Sequence, residues 1–126
     1  MEVTPTNPKS LIGIKKLSLS KIPPAALAHC AAAMMDGAKK YEKYNWRKTN
    51  VEAEIYVDAC LRHLTSWYDG EECAEDSKVH HLGHAMACIA ILLDAIETDT
   101  LIDDRPTPGV MSQVLSRMKD EYNAEE

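Results

Sequence analysis

The chain has 126 residues, 45% of them hydrophobic, with 14 Lys and Arg against 20 Asp and Glu for a formal net charge of -6. That length holds one domain, residues 1–126, with a modest core, and the acidic balance excludes broad binding to a nucleic-acid backbone, which needs clustered cations. No stretch approaches the roughly 20 apolar residues of a membrane span, and no signal-peptide core opens the chain, so a cytoplasmic protein with no membrane partner is expected.

Residues 1–22 carry scattered Pro, Ser and Thr without a sustained period and read as an extended arm with a mobile tip. Pro24 suits a first helical turn, whose amide is unpaired anyway, and Leu27, Cys30, Ala31, Met34, Ala38 and Tyr41 then recur at helical spacing. This predicts helix one over Pro24–Tyr44. Thr49 and Glu52 fit a capping box, in which each side chain satisfies a free amide at the other's position, so helix two starts there. Val57, Leu61, Leu64 and Tyr68 form its apolar stripe, and Gly70 suits a left-handed cap after Asp69.

Asp76 or Ser77 caps the predicted helix three, in which Val79, Leu82, Met86, Ile89, Leu93 and Ile96 alternate three and four apart. Ile91 and Leu92 widen this stripe, which places the helix centrally. Residues 98–109, TDTLIDDRPTPG, read as a linker, with Thr107-Pro108 opening a fourth helix over Gly109–Tyr122. Nothing alternates with period two, so no sheet is expected. The class is all-α, a four-helix bundle, and the short chain favours a homo-oligomer, a dimer or tetramer. Cys30, Cys60, Cys73 and Cys88 form no disulfide framework and are expected to be reduced.

Three groups of residues carry candidate chemistry. Gly37–Arg47 mixes Lys39, Lys40, Lys43 and Arg47 with Tyr41, Tyr44 and Trp46, which suits phosphates and a base, though on the residues alone a solvated basic helix end is the plainer reading. Gly37 favours the first reading, because glycine inside a helix often marks close approach of another group. Glu54, Asp58 and Arg62 share a face of helix two; two carboxylates one turn apart make a half-shell for Mg²⁺ or Mn²⁺, and the plain alternative is a surface ion pair. Glu71, Glu72, Glu75 and Asp76 crowd the following turn, and His81 and His84 should meet His63 and Trp67 if the helices are antiparallel. Cys60-x-x-His63 with His81-x-x-His84 imitates a zinc spacing, though Cys60 fits the core as well.

LSLSKIPPAALAHCAAAMMDGAKKYEKYNWR, IYVDACLRHLTSWYDGEE and HHLGHAMACIAILLDA together resemble a phage and bacterial family described as dATP/dGTP diphosphohydrolase, N-terminal domain. The family is similar to the MazG-like all-α pyrophosphohydrolases and includes the MazZ enzymes. The resemblance covers Leu17 to Ala95, and GAKKY..NWR, RHL..W..GE and HL.HA are its most specific pieces. It implies an oligomeric helical bundle, in a bacterial or phage-infected cell, that converts a purine (deoxy)nucleoside triphosphate to monophosphate and pyrophosphate with Mg²⁺ or Mn²⁺. Glu54, Asp58, Glu71 and Glu72 are then the expected metal ligands with His81 beside them, and Asp58, Glu71 and His63 the catalytic set. Lys39, Lys40, Arg62, His63 and His84 are expected on the phosphates, and Asn45 and Trp46 on base or sugar. An inert helical module that binds nucleotide or a protein is the rival reading.

The chain also departs from its relatives. Many carry Gly in place of Glu42 and of Lys78, changes of loop geometry, and Asp in place of Ala74, which costs a carboxylate. The EExxE and ExxD pair of classical MazG proteins is matched only in letters by Glu71-Glu72-x-x-Glu75, which falls in a predicted turn.

Overall fold

The computed structural model describes residues 7–124, which form six helices and two short strands; the tip of the arm lies outside them. The arm is not extended throughout. Asn7 caps α1 (Pro8–Gly13) by accepting a hydrogen bond from the Lys9 amide, with proline in the first turn, and a 3₁₀ turn follows at Leu19–Lys21. An Asn-Pro start is a local helix signal that the lack of a longer period concealed.

α2 (Pro24–Tyr41) begins as expected but stops three residues short of Tyr44. Glu42 adopts φ 78°, ψ 147°, backbone space used almost only by glycine, and Tyr44 is left-handed at φ 56°. The chain therefore turns and restarts as α3 (Asn45–Lys48). The expected capping box does not form, because the Thr49 hydroxyl donates to the Asn45 carbonyl and closes α3. β1 (Val51–Glu52) precedes α4 (Ala53–Tyr68), whose Glu54 amide is met by the Asp104 carboxylate at 2.9 Å, a cap from a distant loop.

Gly70, at φ 110°, ends α4 as expected. The following turn is closed by hydrogen bonds from the Ala74 amide to the Val79 carbonyl and from the Lys78 amide to the Ala74 carbonyl, with Lys78 left-handed. α5 (His81–Glu97) is capped by His80, whose Nδ1 accepts from the Leu82 amide, so the imidazole takes the role expected of Asp76 or Ser77. β2 (Leu101–Ile102) pairs parallel with β1, a pairing too short to show an alternating pattern. α6 (Met111–Asn123) starts after Val110, not at Thr107-Pro108.

α4 and α5 pack antiparallel, with His63 at the end of α4 against His81 and His84 at the start of α5. α2 crosses α5 so closely at Gly83 that a Cβ there would lie 2.5 Å from the His29 carbonyl oxygen. Trp46, Val51 and Ala95 form a small core, with Met34, Tyr56, Ile91 and Leu101 against it. The architecture is mainly α. Its packed body is α2, α4 and α5, because α6 stands largely clear, with Met111, Leu115, Met118 and Tyr122 all more than half exposed.

The stripes expected to be core lie largely outside it. Val57, Leu61, Leu64 and Tyr68 of α4 and Ile89, Leu93 and Ile96 of α5 are exposed, whereas Ala53, Ala85, Ala87 and Ala95 are buried. Periodicity located the helices but not the side that faces the interior. No described helix is long and apolar enough to cross a membrane, and the four cysteines form no disulfide.

Candidate functional site

A cleft of about 660 Å³ opens between α2, the 42–46 turn, α4 and α5, a volume in the range of small-molecule sites. Its walls are mostly small or aromatic: Ala33, Gly37, Tyr41, Tyr56, Ala59 and Ala87. Polar groups gather in two places. Around Asp94, the Arg47 guanidinium makes two hydrogen bonds, at 2.7 and 2.8 Å, and the Trp46 indole N–H donates at 2.7 Å. Arg47 first, then Trp46, holds the Asp94 carboxyl at a pKa of about 2. Tyr44 packs against Trp46 and lies beneath the Arg47 guanidinium. The NWR segment is thus clamped to α5, and Trp46 is both core and cleft wall.

The second gathering lies some ten residues back along α5, about 15 Å at 1.5 Å per residue. Here the Lys40 ammonium bridges Asp36 at 3.1 Å and Asp76 at 3.3 Å. Hydrogen bonds to Asp36 and then Asp76 raise the pKa of Lys40, and the Ser77 amide, followed by Lys40, lowers that of Asp76. Beside them His84 Nε2 lies 2.7 Å from the Ser77 hydroxyl, its ring stacks on His63 at 4.5 Å, and His63 Nδ1 meets His81 Nδ1 at 2.9 Å. One imidazole must donate to the other in that last pair, so both cannot present lone pairs there. Burial, then the neighbouring His84 and His81, lowers the pKa of His63, and burial lowers that of His84 against the opposing pull of Asp36 and Asp76. Both rings are therefore biased toward the neutral form, in which a ring nitrogen keeps a lone pair.

Of the residues singled out in the sequence, Gly37, Lys40, Tyr41, Lys43, Tyr44, Asn45, Trp46, His63, Asp76 and His84 line this cleft. Lys39 is exposed and outside it. Asp58 and Arg62 lie on another face of α4, in a separate shallow groove with Leu61, Thr65 and Ser66. Glu54 is exposed at the start of α4. His81 is buried, with Glu71 3.7 Å from its Nε2, and Glu72 approaches His80 instead, at 3.4 Å. Among the described residues no three His, Cys, Asp or Glu side chains are arranged to hold a metal ion. Glu54, Asp58, Glu71, Glu72 and His81 are therefore not assembled as one shell, and the Cys60 thiol donates to the Ala85 carbonyl and joins no cluster of three such side chains among the described residues.

Sequence reasoning missed Asp36, Tyr56, Ser77 and Asp94. Asp36 had a local signal, one helical turn before Lys40. Asp94 had none, since its partners lie 47 and 48 residues away.

The chain matches the family described as dATP/dGTP diphosphohydrolase, N-terminal, over residues 6–105, and it belongs to that family. A Salmonella phage PMBT28 protein named dATP/dGTP diphosphohydrolase is 27% identical over 111 residues, covering 82% of this chain and 38% of that protein. The chain thus spans under two-fifths of that relative's length. No solved structure matches it.

Proposed function

We propose that this member of the family hydrolyses a purine deoxynucleoside triphosphate, dGTP or dATP, to the monophosphate and pyrophosphate in the cleft between α2, α4 and α5. The convergence of Lys40, Asn45, His63 and His84 on one cleft of nucleotide-compatible size carries the reading. The name of the phage relative supports the choice of dATP or dGTP.

In this proposal the nucleoside lies along the apolar wall with the Asn45 amide at its polar edge, and the phosphates point toward Lys40. A neutral His63 or His84 takes a proton from water as the water oxygen bonds to the α-phosphorus. The bond from that phosphorus to the bridging oxygen breaks, and pyrophosphate leaves with the electron pair. Mg²⁺ or Mn²⁺ is proposed as the companion of the triphosphate, whose charge it neutralises. Magnesium is commonly held by one or two carboxylates plus substrate phosphates, so no protein ligand set is assigned to it.

The proposed protein is a homo-oligomer, supported by the exposed stripe Val57, Leu61 and Leu64 and by the uncovered apolar side of α6. A nucleotide-binding module without turnover is the second reading, favoured by the absence of an assembled metal shell among the described residues and by Ala74, which is buried in its turn at a position where the resemblance places Asp in many relatives.

Incubation of the pure chain with each deoxynucleoside triphosphate and Mg²⁺ or Mn²⁺, followed by phosphorus NMR of the products, separates these readings. Monophosphate plus pyrophosphate is expected from a purine substrate. Inorganic triphosphate would place the cut on the sugar side of the α-phosphorus, and no turnover with retained binding would leave the inert module.

A further inference from the structure

Gly37 lies inside α2, where glycine weakens a helix relative to alanine, so some other demand must keep it there. The demand is not backbone geometry, because Gly70 is the only described glycine with positive φ. Nor is it packing: a Cβ built on Gly37 meets no atom within 4 Å. Gly83 makes the contrast, since a Cβ there would collide with the His29 carbonyl. The chain itself supplies a reason for Gly70 and Gly83 and none for Gly13, Gly37 or Gly109, and of these last three Gly37 alone lines the cleft.

Gly37 does line the cleft, beside Ala33 and Tyr41 on its own helix and with Ala59 and Ala87 among the other small wall residues. We infer that a bound ligand supplies the missing contact: the nucleoside part of the substrate packs on the bare backbone of Gly37, and the absent side chain there sets the clearance of the cleft. This rests on the proposed nucleotide site and adds a specificity-determining residue to it. Ala59, half-buried on α4, extends the same logic to the facing wall, whereas Ala33 and Ala87 are buried and their small size is accounted for by the chain's own packing.

The test uses the full chain and α,β-methylene analogues of dATP and dGTP, which bind without being cut. Gly37→Ala, Gly37→Leu and Ala32→Leu are compared by calorimetric titration and by melting without ligand; Ala32 is exposed on the same helix and outside the cleft. Gly37→Ala should raise Tm while weakening analogue binding about tenfold, the scale of one methyl group forced into a filled site. Gly37→Leu should abolish measurable binding with the fold retained, and Ala32→Leu should bind as wild type. Wild-type affinity in both Gly37 variants would overturn the inference while leaving the proposed site intact, and a lowered Tm in Gly37→Ala would return the glycine to a packing role. A wild-type chain that binds neither analogue would remove the site and the inference together.

Discussion

The two sides of the α4–α5 hairpin are made of opposite materials. Toward the cleft it presents Tyr56, Ala59, His63, His84 and Ala87. Away from it, Val57, Leu61, Leu64, Ile89 and Leu93 are exposed. A chain that folded only for itself would bury the bulky residues and expose the polar ones, because burying a leucine or isoleucine side chain is worth about 1.5–3 kcal/mol. The reversal supports the two proposals made above, a ligand in the cleft and an apolar surface over the outer stripe.

The largest expected effect comes from breaking the cleft side at its anchor. Trp46→Ala removes a buried ring and the indole donor to Asp94, and should cost about 3–5 kcal/mol in denaturant unfolding, the usual range for a buried tryptophan. A loss below about 1 kcal/mol would show that the NWR segment does not hold the cleft wall to α5.

The outer side is broken by charge. Leu61→Glu with Leu93→Glu should convert an oligomer to monomers in sedimentation, since neither residue supports the core of its own chain. A wild-type chain that already sediments as a monomer at micromolar concentration would contradict the proposed cover for that surface.

Smaller effects sharpen the account of the turns beside the cleft. Glu42 and Lys78 hold positive φ at the two positions where the resemblance places glycine in relatives. Glu42→Gly and Lys78→Gly should each stabilise the fold by about 1 kcal/mol by relieving left-handed strain, the Glu42 change offset slightly by its exposed pairing with Lys48. Equal or lower melting temperatures would show that the backbone is not strained there.

The least change is expected with pH. His63 and His84 have folded pKa values lowered from 6.5, so between that value and their lower folded values the unfolded chain binds more protons. Their contribution to stability is fully present above the unfolded pKa and is lost as pH falls through the folded values. Replacing both with Asn should flatten that part of the melting-temperature profile; an unchanged slope would assign it to other groups.

Much of this was legible in the sequence. The period of the apolar residues found α2, α4 and α5, and Pro24 and Gly70 marked two boundaries through local chemistry. The facing of the helices was not legible, because a stripe waiting for another surface has the same spacing as one already buried, and the alanines that line the interior carry little signal. Lys40, Asn45, His63 and His84, which share one cleft, were singled out because cations, an amide and imidazoles recur within short motifs. The link from Arg47 to Asp94 escaped because tertiary ion pairs leave no trace in spacing. The N-terminus of α5 was misplaced because a histidine, not the usual short polar residue, caps it.

The claim that the cleft is the nucleotide site is tested most directly by two adjacent lysines of equal charge. Lys40 lines the cleft and Lys39 is exposed outside it, so Lys40→Ala and Lys39→Ala make the same change in net charge on two faces of one helix. With the α,β-methylene analogue of whichever purine nucleotide wild type binds more tightly, Lys40→Ala should weaken affinity by about tenfold or more, the scale of a lost charge-assisted phosphate contact, and Lys39→Ala by less than about twofold. Equal losses in the two variants, or a loss confined to Lys39→Ala, would contradict the placement of the nucleotide in this cleft.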